Sequence, residues 1–240
     1  MKKIVVICIA ISFFNISAYA SYEEAVELFQ EKKYKESLKI VADELIVAKD
    51  LEPDSPNYKL RFLAAHLHWK LGNTDPVLIH FRRCMDIAKD KIEPYVDLAL
   101  YFIELKKYED AAKLARRGMK IKDDAMFYYI LGKVSLSRSS YWRAKSFFEK
   151  ANSLNQELYI SYHDLGMVLM KLKKYGHANT AFSAAASLNP DSAEVLNNLG
   201  LSYEMMGKYR EARKYYGEAL VLSKDNSVIK QNLDRVKNKK

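Results

Sequence analysis

The side chains most able to do chemistry in this sequence are its five histidines, which could bind a metal or transfer protons. They are His66, His68, His80, His163 and His177. His66 and His68 are two positions apart, so on a helix their side chains diverge by about 200°. His163 and His177 fall in different predicted helices and have no neighbouring cysteine. We therefore predict no metal site.

Catalytic motifs are also missing from the sequence. It has no glycine-rich phosphate loop, no GxSxG nucleophile turn, no HExxH and no CxxC pair. Asp and Glu are abundant, but we place them on outer helix faces, where charged side chains are usually solvated. Cys84 lies in an apolar helical pattern and is predicted to be a small buried hydrophobe. These observations predict a protein that is not an enzyme and needs no cofactor.

Glycine and proline are scarce in the chain as a whole, which limits the kinds of element that can position these side chains. The 240 residues include 8 glycines and 5 prolines, whereas typical usage is ~7% and ~5%. Sheets, their turns and phosphate loops need both residues, so the scarcity argues against sandwiches, barrels and dinucleotide folds. With 49% hydrophobic residues, the chain can build a large core. We predict an all-α protein.

Residues 1–20 have the three parts of a secretory signal peptide. Lys2 and Lys3 precede an apolar run over residues 4–16, which is shorter than the ~20 residues that span a bilayer. Residues 17–20 (Ser-Ala-Tyr-Ala) form a small-x-small cleavage pattern. We predict cleavage after Ala20 and an exported protein, periplasmic or associated with the cell envelope. The alternative is an uncleaved N-terminal anchor.

The dipeptide Leu-Gly recurs at a fixed interval. Three copies begin at Leu131, Leu165 and Leu199, 34 residues apart. Alanines and aromatic residues follow nearly the same period; they are Ala111, Ala144, Ala178 and Ala212, Phe148, Phe182 and Tyr216, and Ala151, Ala185 and Ala219. Such a period is the signature of a repeat architecture.

Each repeat is predicted to be a pair of antiparallel helices. In residues 159–192, Gly166 of the first helix and Ala178 of the second let the two helices approach closely. Phe182 fills the space that remains. One hairpin cannot bury its apolar stripe alone, so neighbouring repeats must stack.

This pattern resembles the tetratricopeptide repeat, with Tyr162 in the position that the family usually gives to tryptophan. The resemblance implies a single domain over residues 21–240, a right-handed α-solenoid of stacked antiparallel helix hairpins. The interval from Tyr34 to Thr74 is 40 residues, so extra residues are expected near Leu45–Asn57. The predicted repeats are 21–57, 58–91, 92–124, 125–158, 159–192 and 193–226, followed by a capping helix at 227–240.

The resemblance also implies a binding surface, because the first helices of the family's repeats line a concave groove where partners usually lie. Carried over by register, that groove contains Phe62, His66, Trp69, Val96, Leu100, Ile103, Met126, Tyr129, Lys133, Ile160, His163, Met167, Met170, Asn197, Leu201 and Met205. These residues are largely apolar and include several methionines, which suit varied apolar ligands. In a tightly wound superhelix the same side chains would instead form an inner core.

The family's clamp for a C-terminal carboxylate is only partly matched. Lys133 and the pair Asn197 and Asn198 are near matches, but His163 and Met167 occupy positions where that clamp has Lys and Asn. We therefore predict no clamp of this type.

The combined expectation is an exported scaffold or adaptor that binds an apolar segment of another protein within a bacterial envelope assembly. The alternative is a binder of cell-wall polymer or anionic lipid that acts through a basic C-terminal tail. The chain has a formal net charge of +9, but a nucleic-acid partner is not expected, because no basic stripe runs along the body. Self-association remains open. The cations of the tail are Lys230, Arg235, Lys237, Lys239 and Lys240.

Overall fold

The computed structural model describes residues 21–47 and 56–239, and within these ranges it contains thirteen helices and no strand. The predicted all-α fold class is confirmed. The predicted signal peptide lies outside the described residues, as do residues 48–55 of the expected insertion. The chain divides into two compact units, an N-terminal unit that ends at Leu105 and a C-terminal unit that begins at Lys106.

The N-terminal unit contains five described helices that pack in chain order. Ala25 of the first helix, Val41 of the second and Leu60 of the third are fully buried in one core. The buried Ser37 hydroxyl donates a hydrogen bond of 2.6 Å to the Ala25 carbonyl, which ties the first two helices together. The helices are α1 (residues 21–30), α2 (Tyr34–Val47), α3 (Pro56–Lys70), α4 (Thr74–Ile87) and α5 (Glu93–Glu104).

The C-terminal unit is a stack of helix hairpins. Each helix packs on the next one along the chain, so each pair of antiparallel helices buries its apolar stripe against its neighbours. The helices are α6 (Tyr108–Gly118), α7 (Ala125–Ser137), α8 (Tyr141–Leu154), α9 (Tyr159–Lys171), α10 (Tyr175–Leu188), α11 (Ala193–Met205), α12 (Tyr209–Leu222) and α13 (Ser227–Val236).

Close contact between a glycine and an aromatic ring holds each of these hairpins together. A Cβ atom added to Gly166 of α9 would lie 2.6 Å from the Phe182 ring of α10. The corresponding distances are 2.5 Å for Gly132 and Phe148, and 2.8 Å for Gly200 and Tyr216. Since real side chains cannot approach so closely, each glycine is required by the ring that packs on it. The recurring Leu-Gly dipeptide and the aromatic residue of each repeat are therefore the two halves of one contact.

The turns within the hairpins also repeat. Each contains one residue in the left-handed region, which favours glycine. Gly72 and Gly207 occupy this position in two turns, with φ of 76° and 74°. In two others the residue is not glycine: φ is 55° at Ser139 and 58° at Lys173. The turn of the α1–α2 hairpin likewise has a lysine, Lys32, at 63°. The helix that follows such a turn begins two residues later, which fixes where the second helix of a hairpin starts.

Side-chain caps begin three of the first helices in the C-terminal unit. Asp124 accepts a hydrogen bond from the Met126 amide, and Ser192 accepts one from the Val195 amide. Asn226 accepts from two amides of α13. These caps fall at the boundaries between repeats, where the chain must stop one helix and start the next. Across the described part of the chain, every helix falls short of the length and apolar character needed to cross a bilayer.

Candidate protein-binding surfaces

The predicted groove residues of the N-terminal unit lie on α3 and α5, and we call them the N-terminal surface. Val96 is buried, at 8% exposure, whereas the other members are half-buried. The ring centroids of Phe62 and His66 are 4.8 Å apart, and those of Trp69 and Tyr101 are 5.1 Å apart. The rings of Phe62, His66 and Trp69 therefore pack in a row along α3, and all three stay partly accessible. Its members are Phe62, His66, Trp69, Val96, Leu100 and Ile103.

Two carboxylates of α5 fix the polar atoms of this aromatic row. His66 Nε2 lies 3.1 Å from Asp97 Oδ2, and Trp69 Nε1 donates a hydrogen bond of 2.8 Å to Glu104 Oε2. Both contacts join α3 to α5. The two carboxylates therefore orient the rings, so the aromatic surface is preorganised.

The predicted groove residues of the C-terminal unit lie on α7, α9 and α11, and we call them the C-terminal surface. On each helix they follow at intervals of three or four residues, so they share one face. Tyr129 is buried, at 8% exposure, and Met205 is 45% exposed; the others are half-buried. The accessible part of the surface is therefore rich in methionine. Its members are Met126, Tyr129, Lys133, Ile160, His163, Met167, Met170, Asn197, Leu201 and Met205.

A row of polar contacts joins these first helices, and it includes three members of the C-terminal surface, Lys133, His163 and Asn197. Lys133 Nζ of α7 lies 2.9 Å from Asp164 Oδ2 of α9. His163 Nδ1 lies 3.4 Å from Asp164 Oδ1, and its Nε2 lies 2.9 Å from Asn198 Nδ2 of α11. These distances fit an imidazole that donates from Nδ1 and accepts at Nε2. Asn197 Oδ1 in turn accepts a hydrogen bond of 2.9 Å from Asn232 of α13.

Asp164 is the electrostatic centre of this row. Burial by itself would raise the pKa of its carboxyl, but the hydrogen bond from His163 and the charge of Lys133 outweigh burial and lower that pKa below its ordinary value. Burial, together with the neighbouring Asp164 charge, raises the pKa of the Tyr129 phenol. The carboxylate is therefore held ionised inside the surface, where it orients Lys133 and His163.

A second carboxylate attaches the last helix. Arg235 of α13 donates two hydrogen bonds of 2.7 Å to the carboxylate of Glu204. The Tyr216 hydroxyl donates a third, of 2.8 Å, to the same group. The hydrogen bond from Arg235 lowers the pKa of Glu204, and burial raises the pKa of the Tyr216 phenol. Ile229 and Val236 of α13 are buried against the preceding hairpin, so α13 covers its apolar face.

The remaining histidines do not join either surface. The rings of His68 and His80 stack at 5.5 Å between α3 and α4. Burial, and then the neighbouring His68 and Arg61, lower the pKa of His80 to about 4, and burial also lowers the pKa of His68. His177 is exposed on α10. Within the described ranges, no three His, Cys, Asp or Glu side chains are grouped as a metal site requires.

The sequence analysis missed the acidic and amide partners that order these surfaces. Charged residues were expected on outer, solvated faces, yet Asp164 is buried at 9% exposure. Cys84, by contrast, is fully buried as predicted. A signal for the missed partners exists in the spacing, because His66 and Asp97 are 31 positions apart, as are Glu204 and Arg235. That interval is one repeat less about one helical turn, which brings the two positions together on neighbouring first helices.

Stacked pairs of antiparallel helices with small residues at their crossings define a helical-repeat protein. Family profiles described as the tetratricopeptide repeat match residues 159–192 and 193–226. The chain therefore contains tetratricopeptide repeats in these two segments. No curated protein sequence matches it.

Solved structures share the fold at low sequence identity. A chain of the APC/C hetero-tetramer Cut9-Hcn1 has a TM-score of 0.76 at 18% identity over 91% of this chain and 42% of that one, so this chain spans less than half of that neighbour. PilF of Pseudomonas aeruginosa has a TM-score of 0.72 at 15% identity, over 95% of this chain and 99% of that chain. PilW, described as a widely conserved type IV pilus biogenesis factor, has 0.73 at 14%, over 93% and 100%.

Proposed function

We propose that this protein is an exported scaffold that binds an apolar segment of a partner protein on its first-helix surfaces, within a bacterial envelope assembly. Tetratricopeptide repeat proteins are generally non-enzymatic scaffolds for protein–protein interaction. The observation that most supports the proposal is the C-terminal surface, where partly accessible methionines and a row of polar contacts share the same first helices. The expected partner is a peptide or helix of another protein, and no cofactor is involved.

The methionines provide the adaptable part of this surface. Met167 and Met170 of α9 lie one turn apart, and Met126 of α7 and Met205 of α11 lie on the flanking first helices. An unbranched, polarisable side chain can fit the contours of different apolar ligands. Burial of apolar area would contribute ~25 cal/mol per Å² before the costs of ordering the partner.

The row of polar contacts provides the rigid part of the C-terminal surface. Because Lys133 and His163 are bonded to Asp164, and His163 also meets Asn198, the spacing between first helices is fixed before any ligand arrives. A preorganised surface loses less entropy on binding. The buried Val96 and Tyr129 belong to the support of the two surfaces rather than to their accessible area.

Two observations support the envelope location. Residues 1–20 have the charged start, apolar run and small-residue ending of a signal peptide. The fold is shared with PilW, a type IV pilus biogenesis factor. The predicted periplasmic or envelope address, and the identity of the assembly, are parts of the proposal.

The basic C-terminal tail supports a second candidate function, attachment to anionic lipid or a wall polymer. Two of its cations have internal roles, which weakens this candidate. Arg235 is bonded to Glu204, and Lys239 Nζ lies 5.1 Å from the centre of the Tyr209 ring. The affinity of binding through the tail would fall sharply between low and moderate salt concentration, whereas the affinity of binding through an apolar surface would change little.

Site-specific photo-cross-linking in the source cells tests the first candidate. A photoreactive residue is placed at Met167 in one variant and at Lys113, an exposed site on α6, in a control variant. We expect one envelope protein to be captured from position 167 and not from position 113, with salt-insensitive binding. Capture of the protein's own copies alone, or equal capture from both sites, would contradict the proposal, and sedimentation of the mature chain distinguishes self-association.

A further inference from the structure

A cavity of about 380 Å³ lies in the C-terminal unit between α8, α9 and α10. Its apolar lining comes from Tyr162, Leu165 and Leu169 of α9 and from Ala181 and Ala184 of α10. The volume is within the ~300–1,000 Å³ range of pockets that enclose small ligands or large side chains. The two alanines leave the space that a larger residue at either position would fill.

This cavity is separate from the C-terminal surface. On α9, the residues of that surface include His163, Met167 and Met170, whereas the cavity is lined by Leu165 and Leu169. At 100° per residue, the two sets point about 150° apart around the helix axis. A ligand in the cavity would therefore leave the methionine surface free.

Two lysines line the cavity, and one of them contacts an exposed tryptophan. Trp142 at the start of α8 is 62% exposed. Lys174, which lines the cavity, has its Nζ 4.5 Å from the centre of the Trp142 ring. His177 lines the cavity as well and is exposed. Lys145 completes the rim and is bonded at 2.6 Å to the carboxylate of Glu149, which lies beside it.

Two lysines, Lys145 and Lys174, and one carboxylate, that of Glu149, line the cavity, so its ionised lining has an excess of one positive charge. In residues 159–188 the only acidic residue is Asp164, which lies on α9 together with the C-terminal surface and is bonded to Lys133. The same segment contains Lys171, Lys173 and Lys174. A ligand with an apolar group next to an anionic group therefore matches this cavity, because the apolar group fits the lining and the anionic group faces the lysines.

We propose that this cavity is a second binding site, which takes an acidic segment of a partner protein that inserts one large apolar side chain. The side chain lies on Leu165, Leu169 and the two alanines, and a neighbouring carboxylate pairs with Lys174. Trp142 covers the segment from the side, since large exposed aromatic side chains are enriched among the residues that dominate interfaces.

Fluorescence of Trp142 provides the direct test, because the chain has two tryptophans and Trp69→Phe leaves Trp142 as the only reporter. The probe is the acetylated hexapeptide Glu-Asp-Phe-Leu-Asp-Glu. Two control peptides replace either the acidic residues by lysine or the Phe-Leu pair by Ser-Ser. We expect saturable binding of the probe and none of either control up to ~1 mM, the weak end of specific recognition.

Variants in the Trp69→Phe background locate the site. Lys174→Glu and Ala184→Phe should each weaken binding about tenfold or more, with unchanged melting temperature for the variant at the partly exposed Lys174. Lys113→Glu has the same charge change on α6 and should bind as before. Met167→Glu changes the C-terminal surface and should still bind the acidic peptide as before. Failure of the cavity site is therefore distinguishable from failure of the proposed function.

Three outcomes would overturn this second site. The first is the absence of saturation with the acidic peptide, and the second is equal binding of the lysine or serine control. The third is a concentration-dependent dimer that Lys174→Glu abolishes while the peptide does not compete, which would make a second copy of the chain the occupant.

Discussion

Lys133 and Asp164 form an ion pair of 2.9 Å between the first helices of two consecutive repeats, 31 positions apart in the sequence. The same interval separates His66 from Asp97 and Glu204 from Arg235. Polar contacts at a constant offset therefore join neighbouring first helices within each unit, where the proposed partner would bind. The row fixes the distance between those helices, and removing one member should affect stability first.

Asp164→Asn should lower the free energy of unfolding at pH 7 by about 2 kcal/mol, a magnitude expected for hydrogen bonds to a charged group. The pKa of Asp164 is lowered on folding, so its contribution is present above the ordinary value of 3.8 and is lost as the pH falls through the folded value. Denaturant unfolding of both proteins between pH 7 and 3 measures this. A difference that stays constant over that range would contradict the assignment.

Gly166→Ala should destabilise the protein by about 2 kcal/mol, because the added methyl group would meet the Phe182 ring. Gly217→Ala is the matched control: nothing lies within 4 Å of a Cβ at that site inside α12, so the change should stabilise by about 0.5–1 kcal/mol. Thermal unfolding measures both. Phe182→Leu should partly rescue the first variant, and equal effects at the two glycines would refute the role of the close contact.

Lys173→Gly should stabilise the protein by about 0.5–1 kcal/mol, because φ at this position is 58° and a side chain is strained there. Lys171→Gly, two residues earlier at the end of α9, should instead cost about 0.5 kcal/mol. Denaturant unfolding of the two variants gives the comparison. If both lysine replacements destabilise the protein, the left-handed turn is not a source of strain.

Acid should weaken the α3–α4 hairpin through His80. Its pKa is about 4 in the fold against an ordinary 6.5, so between these values the unfolded chain binds a proton that the folded chain does not. Stability should therefore fall as the pH is lowered through this window, by up to ~1.4 kcal/mol per pH unit. His80→Gln should flatten this slope, and His177→Gln, at an exposed site, should not. Unfolding curves from pH 7 to 4 measure the slopes.

Sequence reasoning reached the fold because the hairpin contacts are made by unusual residues at a fixed spacing. Gly132, Gly166 and Gly200 each meet an aromatic ring sixteen positions later, and a glycine inside a helix is costly unless something packs closely against it. The positions of the groove residues on first helices followed from the same register. The degree to which each groove residue is buried did not follow from the register, because Val96 and Tyr129 are buried while equivalent positions on other first helices are partly accessible.

The sequence did not predict the polar partners or the cavity, and the reason is a different one. Asp164 looks like any solvated helix carboxylate until α7 is placed beside α9, and its ionised state depends on His163 and Lys133 together. The cavity at Ala181 and Ala184 depends on the distance between α8 and α10. Small residues in a repeat are expected at close contacts, and only the packing shows which of them leave space.

The affinity of the purified partner, recovered by cross-linking at position 167, tests the central claim most directly. Calorimetry compares the wild-type chain with the Met167→Glu, Met170→Glu double variant, and with Met119→Glu, a half-buried methionine at the end of α6, as the control. Thermal unfolding first checks that all three proteins are folded. If these methionines form the binding surface, the double variant alone should lose affinity by about thirtyfold or more. An unchanged dissociation constant for the double variant would contradict it.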